Sequence, residues 1–364
     1  MFVLDSHCDT PSQIHRLRDL SVDNHHAHVD FPKLKRGGVD GAFFALYIPG
    51  SKDTEEAFRY ACNLLEGVEM SIAGNRDLAS LAVSASEAMD NKAKGLFSVF
   101  LGLENGSPVG NDLSRIKYFY DRGVRYITLC HSLDNQIWDS CASRVKTWGG
   151  LSPFGKEVVS EMNRLGMLID VSHVSDETFY DVLKYSTKPV VATHSCCRAL
   201  SYHPRNMTDE MIQALADAGG VIQINFYPLF LDSGFADVLS GSGLAEIGES
   251  IEADFIADPS NDEKRKAWNR IQDAIQALPR PSYKLIADHI DHVVELVGID
   301  HVGIGSDYDG IEVTPDGMED ISMMPKLFAE LRARGYTESD ISKIASENFF
   351  RCLNASFLCS DAGR

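Results

Sequence analysis

The chain has 364 residues, of which 44% are hydrophobic and 24% are charged, a composition typical of globular proteins and unlike disordered or collagen-like chains. Acidic residues outnumber basic ones by 53 to 34, and the resulting net charge of −19 argues against nucleic acid or an anionic membrane as a partner. The 8 cysteines include no Cys-x-x-Cys pair, which argues against a disulfide scaffold and a structural zinc ribbon.

Short apolar runs rich in β-branched residues and bounded by turn residues predict eight strands. In chain order these are 2–9, 41–48, 96–104, 124–131, 167–173, 190–194, 220–227 and 301–307. Helical patterns lie between most of them, at 54–74, 112–122, 153–165, 175–185, 208–218 and 283–297. Strands that alternate with helices indicate parallel βαβ units, and eight such units predict a (β/α)₈ barrel of the TIM type.

One segment interrupts this alternation. Residues 228–280 hold an acidic, Gly/Ser-rich stretch at 232–262, followed by a charged, helix-compatible stretch at 263–278. We interpret 228–280 as an insertion or lid within a single catalytic barrel of residues 1–364, and not as a second domain. This interpretation places extra chain between the last two predicted strands.

The two chain ends carry no pattern of a targeting signal. No basic and apolar leader follows Met1, residues 359–364 form no apolar tail, and no run of about 18 apolar residues occurs. These patterns predict a cytoplasmic protein without a membrane anchor.

Ionisable side chains fall where the predicted strands end. In a (β/α)₈ barrel the carboxyl ends of the strands form the floor of the active site, so these side chains are expected to meet there. A strand end that merely closed a barrel would more often carry Ser, Gly or Asn. The residues are His7, Cys8 and Asp9 on the first strand, Glu104 on the third, His131 on the fourth, His173 on the fifth, His194 on the sixth and Asp307 on the eighth.

These residue types favour a metal centre. The i, i+2 spacing of His7 and Asp9 puts both side chains on one face of a strand. Imidazole and carboxylate ligands suit zinc, and also manganese or iron. A lone His173 or His194 would more often be a core histidine, and a lone Glu104 could pair with an arginine. Taken together, the five groups predict joint metal binding, with the Glu104 carboxylate able to bridge two ions.

The ordered set of motifs resembles the membrane dipeptidase (renal dipeptidase) family, peptidase family M19, a branch of the amidohydrolase superfamily. The resemblance covers nearly the whole chain. The matching stretches are Asp5-Ser6-His7-Cys8-Asp9, Gly102-Leu103-Glu104, 126–131 (YITLCH), 150–155 (GLSPFG), 168–175 (LIDVSHVS), Arg205-Asn206, Asn225-Phe226-Tyr227 and 305–310 (GSDYDG).

The resemblance implies a (β/α)₈ barrel with two zinc ions per chain. By motif, His7 and Asp9 correspond to ligands of one zinc ion, and His173 and His194 to ligands of the other. Glu104 corresponds to the bridging carboxylate. Two metal ions that share one water would lower its pKa toward neutrality and supply the attacking hydroxide.

The resemblance also implies roles around the metals. His131 matches a histidine that contacts the substrate and its developing oxyanion, and Asp307 matches the acid–base residue. Arg205 matches an arginine that holds the substrate's carboxylate, and Tyr227 is assigned to substrate binding. The implied activity is hydrolysis of dipeptides with a free C-terminal carboxylate.

Two alternatives remain open from the sequence. Another binuclear-metal amidohydrolase would use the same ligands on lactams or acylated amino acids, and a non-catalytic metal-binding barrel would keep the ligands without the activity. A homodimer is also left open. The run His25-His26-x-His28 can bind metal in principle, but its polar surroundings favour a solvated loop.

Overall fold

The chain folds as a barrel of parallel strands surrounded by helices. A computed structural model describes residues 1–357; residues 359–364, from which the absence of an apolar tail was argued, lie outside this range. The strands are β1 (Leu4–Cys8), β2 (Gly41–Tyr47), β3 (Ala79–Leu81), β4 (Phe97–Glu104), β5 (Val124–Thr128), β6 (Leu168–Asp170), β7 (Val191–Ser195), β8 (Val221–Ile224) and β9 (Val302–Ile304).

The strand order confirms the predicted (β/α)₈ barrel. Eight strands follow one another as β1-β2-β4-β5-β6-β7-β8-β9 with parallel pairing, and β3, which the sequence pattern did not predict, pairs only with β4. The ring closes beyond β9, where the Asp307 amide donates to the His7 carbonyl at 3.0 Å and the Asp9 amide donates to the Tyr308 carbonyl at 2.8 Å. Closure therefore places Asp307 beside His7 and Asp9.

The helices lie largely where the periodicity predicts them. Ser175 and Thr208 are N-caps, because each side-chain hydroxyl accepts a hydrogen bond from the backbone amide three residues later. The helices are α1 (Thr10–His15), α2 (Phe31–Gly37), α3 (Thr54–Gly74), α4 (Ala85–Ala93), α5 (Ser114–Asp121), α6 (Pro153–Leu165), α7 (Asp176–Tyr185), α8 (Asp209–Asp217), α9 (Pro228–Leu231), α10 (Phe235–Ser242), α11 (Leu244–Ala257), α12 (Asp262–Gln276), α13 (Lys284–Val297), α14 (Met324–Ala333), α15 (Glu338–Ser342) and α16 (Asn348–Phe357).

The lower half of the barrel is filled by large apolar side chains. Phe43 stacks on Phe100 and packs at an angle against Tyr126, and Phe349 of α16 packs on Phe43. Gly102 leaves room for the Tyr126 ring, since a Cβ at this position would lie 2.2 Å from the ring. The packing therefore lifts the Tyr126 hydroxyl toward the upper end of the barrel.

Four predicted strands are three residues too long at their carboxyl ends. The structure ends β5 at Thr128, β6 at Asp170, β8 at Ile224 and β9 at Ile304, so His131, His173, Tyr227 and Asp307 lie on the loops just beyond. His173 and Asp307 have φ values of 71° and 66°, in the left-handed region that costs a non-glycine residue on the order of 1–3 kcal/mol. A strand cannot continue through such a residue, and the turn aims its side chain into the barrel mouth.

Residues 228–280 contain four helices, α9 to α12. The acidic, Gly/Ser-rich stretch is largely helical: Gly234 and Gly243 fall at helix boundaries, while Gly241 and Gly248 lie within α10 and α11. Within residues 1–357, no helix is both long enough and apolar enough to cross a membrane.

Candidate active site

Five of the predicted side chains converge around one carboxylate. The Glu104 Oε1 atom lies 3.1 Å from His173 Nε2 and 3.5 Å from His194 Nε2, while its Oε2 atom lies 3.4 Å from His7 Nε2. The same His7 nitrogen lies 3.6 Å from Asp9 Oδ2. Glu104 thus divides the donors into two groups, with one carboxylate oxygen facing each. Its neighbours are histidines and not the arginine of the alternative interpretation.

The donors fit metal ions on geometric grounds. Ligand atoms on a tetrahedral zinc ion, with bonds of about 2.0–2.1 Å, lie about 3.4 Å apart. The separations of 3.1–3.6 Å around Glu104 match this spacing. His7 Nε2 and Asp9 Oδ1 are buried without a hydrogen-bond partner, which leaves both free to take a cation. The His7, Asp9 and Asp307 donor atoms, and those of Glu104, His173 and His194, each lie within 4.8 Å of one another.

Hydrogen bonds behind the histidines orient their rings. The Thr193 hydroxyl donates to Asp170 Oδ2 at 2.6 Å, so it accepts from His194 Nδ1, which is 2.8 Å away. His194 Nε2 is then unprotonated and faces Glu104. The Tyr126 hydroxyl lies 2.8 Å from His7 Nδ1 and holds the orientation of that ring. Such partners behind ligating histidines set the tautomer that a metal requires.

The electrostatics of the cluster favour a bound cation. Burial lowers the pKa of His173 and His194 well below its usual range, and Arg205 adds to this, so both rings are neutral with a free lone pair. Burial also lowers the pKa of His7, but Glu104 and Asp9 outweigh it and raise the net pKa well above its usual value. The carboxylates around His7 thus stabilise positive charge at this point of the site.

A cavity of about 550 Å³ opens above the cluster. Its size suits a small organic ligand, and both polar and aromatic side chains line it. His131 lies on the cavity wall, and the centroids of the His131 and His173 rings are 4.3 Å apart. Burial and the nearby Arg205 lower the pKa of His131 to about 4, so the ring is neutral at pH 7 and can donate one hydrogen bond.

Arg205 presents a charged group to this cavity. The side chain is 7% exposed, and Nη2 donates to the His194 carbonyl at 2.8 Å. Its Nε atom is buried without a partner. Asp209, an acidic residue four positions along the chain, pairs with His292 and not with Arg205. The guanidinium is therefore anchored at one end and available to an anion.

Asp307 also lines the cavity. Asn225 Nδ2 donates to Asp307 Oδ2 at 2.8 Å and so fixes one carboxylate oxygen. Burial raises the pKa of Asp307 above its usual value, partly offset by His7. A raised pKa suits a carboxylate that takes up and releases a proton.

The outer wall of the cavity includes residues that the sequence analysis did not assign. Tyr227 lines the cavity, and its hydroxyl donates to Glu312. Glu252 and Ile256 of α11 also line it, and Glu252 pairs with Arg16 at 3.0 Å. The strand-end pattern could not indicate these side chains, because they come from residues 228–280.

The fold and these groups agree with the comparisons to known proteins. Residues 1–361 match the model of the membrane dipeptidase family, peptidase family M19. The chain belongs to the membrane dipeptidase family. The enzyme class predicted from the motifs, a dipeptidase and hence a hydrolase, is therefore confirmed.

Several known proteins resemble the chain over most of their length. The dipeptidase verJ of Clonostachys rogersoniana is 30% identical, with 97% of this chain and 84% of that protein covered. The crystal structure of the probable dipeptidase PvdM of Pseudomonas aeruginosa is similar, with a TM-score of 0.83, 27% identity, and 98% and 95% of the two chains covered. An amidohydrolase from Pseudomonas aeruginosa shares the fold with a TM-score of 0.73 at 24% identity, covering 95% and 98%.

Proposed function

We propose that this protein is a zinc-dependent dipeptidase that hydrolyses dipeptides with a free C-terminal carboxylate. One observation carries the proposal. Two groups of metal-type donors share Glu104 at the floor of a cavity that also presents a buried, partly unpartnered Arg205. Metal donors suit amide hydrolysis, and the guanidinium suits a substrate that carries a carboxylate close to the scissile bond.

In this proposal His7 and Asp9 would hold one zinc ion and His173 and His194 the other, and the Glu104 carboxylate would serve both. When bound, the ions supply Lewis acidity and lower the pKa of a water toward neutrality. His173 and His194 are already neutral, as zinc binding requires, whereas His7 would release its proton when the ion binds.

The remaining side chains act on the substrate. Arg205 pairs with the C-terminal carboxylate and so fixes the scissile amide near the cavity floor. His131, which is neutral at pH 7, donates a hydrogen bond to the oxygen on which negative charge develops. Asp307 takes a proton from the attacking water and delivers it to the leaving amine, while Asn225 keeps its carboxylate in place. Tyr227 and α11 close the outer wall against water.

The proposal predicts the metal content. Protein purified with zinc and equilibrated at low free zinc should retain two tightly bound ions per chain, because two donor groups share Glu104. Metal analysis by mass spectrometry and hydrolysis of a dipeptide panel before and after chelation provide the test. Saturation of the buried site at one ion per chain, or unchanged activity without metal, would contradict the proposal.

Thr193→Val should weaken zinc binding by about 10–100-fold, because it removes the hydroxyl that fixes the His194 tautomer. The change keeps the shape of the buried side chain nearly constant. Thr193→Ser retains the hydroxyl and serves as the matched control, with an affinity close to that of the wild type. Competition with a chromophoric chelator measures both. Equal affinities in the valine and serine variants would remove Thr193 from this role.

A further inference from the structure

A second cluster of metal-type donors lies outside the catalytic cavity. His25 and His26, in the loop after α1, meet Asp273 of α12, and their ligand atoms all lie within 4.8 Å of one another. The His26 Nε2 atom is 3.2 Å and 3.3 Å from the two Asp273 carboxylate oxygens. The two imidazole rings lie beside each other, with centroids 4.9 Å apart.

The loop that carries these histidines is held firmly in place. The Asn24 side-chain oxygen accepts a hydrogen bond from the His26 amide at 3.1 Å. The Asn24 backbone carbonyl accepts one from the Ala27 amide at 3.0 Å. His28, the third histidine of the run, points elsewhere, since its Nδ1 accepts the Asp309 amide at 2.9 Å. The sequence grouped three histidines, whereas the fold retains two and adds a carboxylate that lies 247 residues away from His26.

The surroundings attract a cation. Glu312, Glu319 and Asp320 line the same hollow, which measures about 160 Å³. Together with Asp273 they surround the histidines with negative charge, which raises the local concentration of cations. Two imidazoles and one carboxylate are a ligand set that zinc prefers, with water in the fourth position. The His26–Asp273 separation already matches the spacing of about 3.4 Å between ligands on tetrahedral zinc.

We propose that His25, His26 and Asp273 form a further zinc site that ties α12 to the loop after α1. The site has a structural consequence, because α12 packs beneath α11, where Ile271 lies against Gly248, and α11 supplies Glu252 and Ile256 to the cavity wall. A zinc ion between the loop and α12 holds this wall to the barrel. Without the ion, the loop and α12 share one partly exposed His–Asp pair, which contributes little, beside the pair that Arg16 of the same loop makes with Glu252 of α11.

The test compares the zinc content of the holoenzyme in its wild-type form and in two variants. At saturating free zinc, His26→Gln should bind one zinc ion per chain fewer than the wild type, with dipeptide kcat unchanged. His292→Gln is the matched control: it removes another His–Asp pair, at 2.8 Å, that belongs to no three-donor group within residues 1–357. Its zinc content should equal that of the wild type. Equal zinc content in His26→Gln and the wild type would overturn the site.

Limited proteolysis within residues 228–280 tests the tie. If zinc binds only the docked arrangement, free zinc at ten times the dissociation constant should slow cleavage of the wild type about tenfold. His26→Gln should show no protection by zinc over the same range. Equal cleavage of the wild type with and without this zinc would overturn the tie. Both comparisons report on the outer site alone, because wild type and variant share any ions at Glu104. The comparisons therefore stay valid even if the protein shows no dipeptidase activity.

Discussion

Asp307→Asn should keep both buried zinc ions and still bind substrate, while kcat falls by about 10²–10⁴-fold, the usual contribution of general acid–base catalysis. The amide cannot take up a proton from the attacking water. It can still accept a hydrogen bond from Asn225, so the loop should hold its position. Steady-state kinetics on one dipeptide, with metal analysis of the same sample, provide the measurement.

Asp309→Asn is the matched control for this variant. Asp309 lies two residues further along the same loop, but its carboxylate accepts from Arg18 and Thr10 and does not line the cavity. Its replacement should cost stability and leave kcat of the folded protein within a few-fold of the wild type. Near-native kcat in Asp307→Asn, or equal losses in both variants, would exclude a proton-transfer role for Asp307.

The barrel could be predicted from the sequence because its signals are local. Buried parallel strands are continuous apolar runs, and capped amphipathic helices such as α6 and α7 begin at a serine whose hydroxyl accepts a backbone amide. The strand ends were less accurate. The left-handed backbone of His173 and Asp307 depends on the side chains around the barrel mouth and leaves no mark in the residue pattern.

The polar residues at the cavity floor could also be predicted, because ionisable groups stand out at the end of an apolar run. The groups behind them could not. Thr193 and Asp170 lie within strands and look like ordinary buried polar residues until their hydrogen bonds to His194 and to each other are seen. Asp273 meets His26 only through the path of residues 228–280, which no local pattern specifies.

Arg205→Met should erase most of the preference for dipeptides over their C-terminal amides. In the proposed mechanism, a charge-assisted pair between the guanidinium and the substrate carboxylate would be worth on the order of 2–4 kcal/mol in a partly dry pocket, or about 30- to 1000-fold in kcat/KM. The variant should keep its zinc, because Arg205 contacts the backbone of His194 and none of the ligand atoms. The measurement is kcat/KM for one dipeptide and its amide, with both proteins.

Arg16→Met separates a specific carboxylate contact from a general effect of positive charge. Arg16 lines the same cavity but is already paired with Glu252, so its loss should leave the preference for the free carboxylate nearly intact. Arg205 has a buried Nε without a partner and can form a new pair at little cost in existing bonds. If the wild type cleaves dipeptide and amide equally well, the substrate is not held by its carboxylate. The same metal donors would then favour lactams or other small amides as substrates.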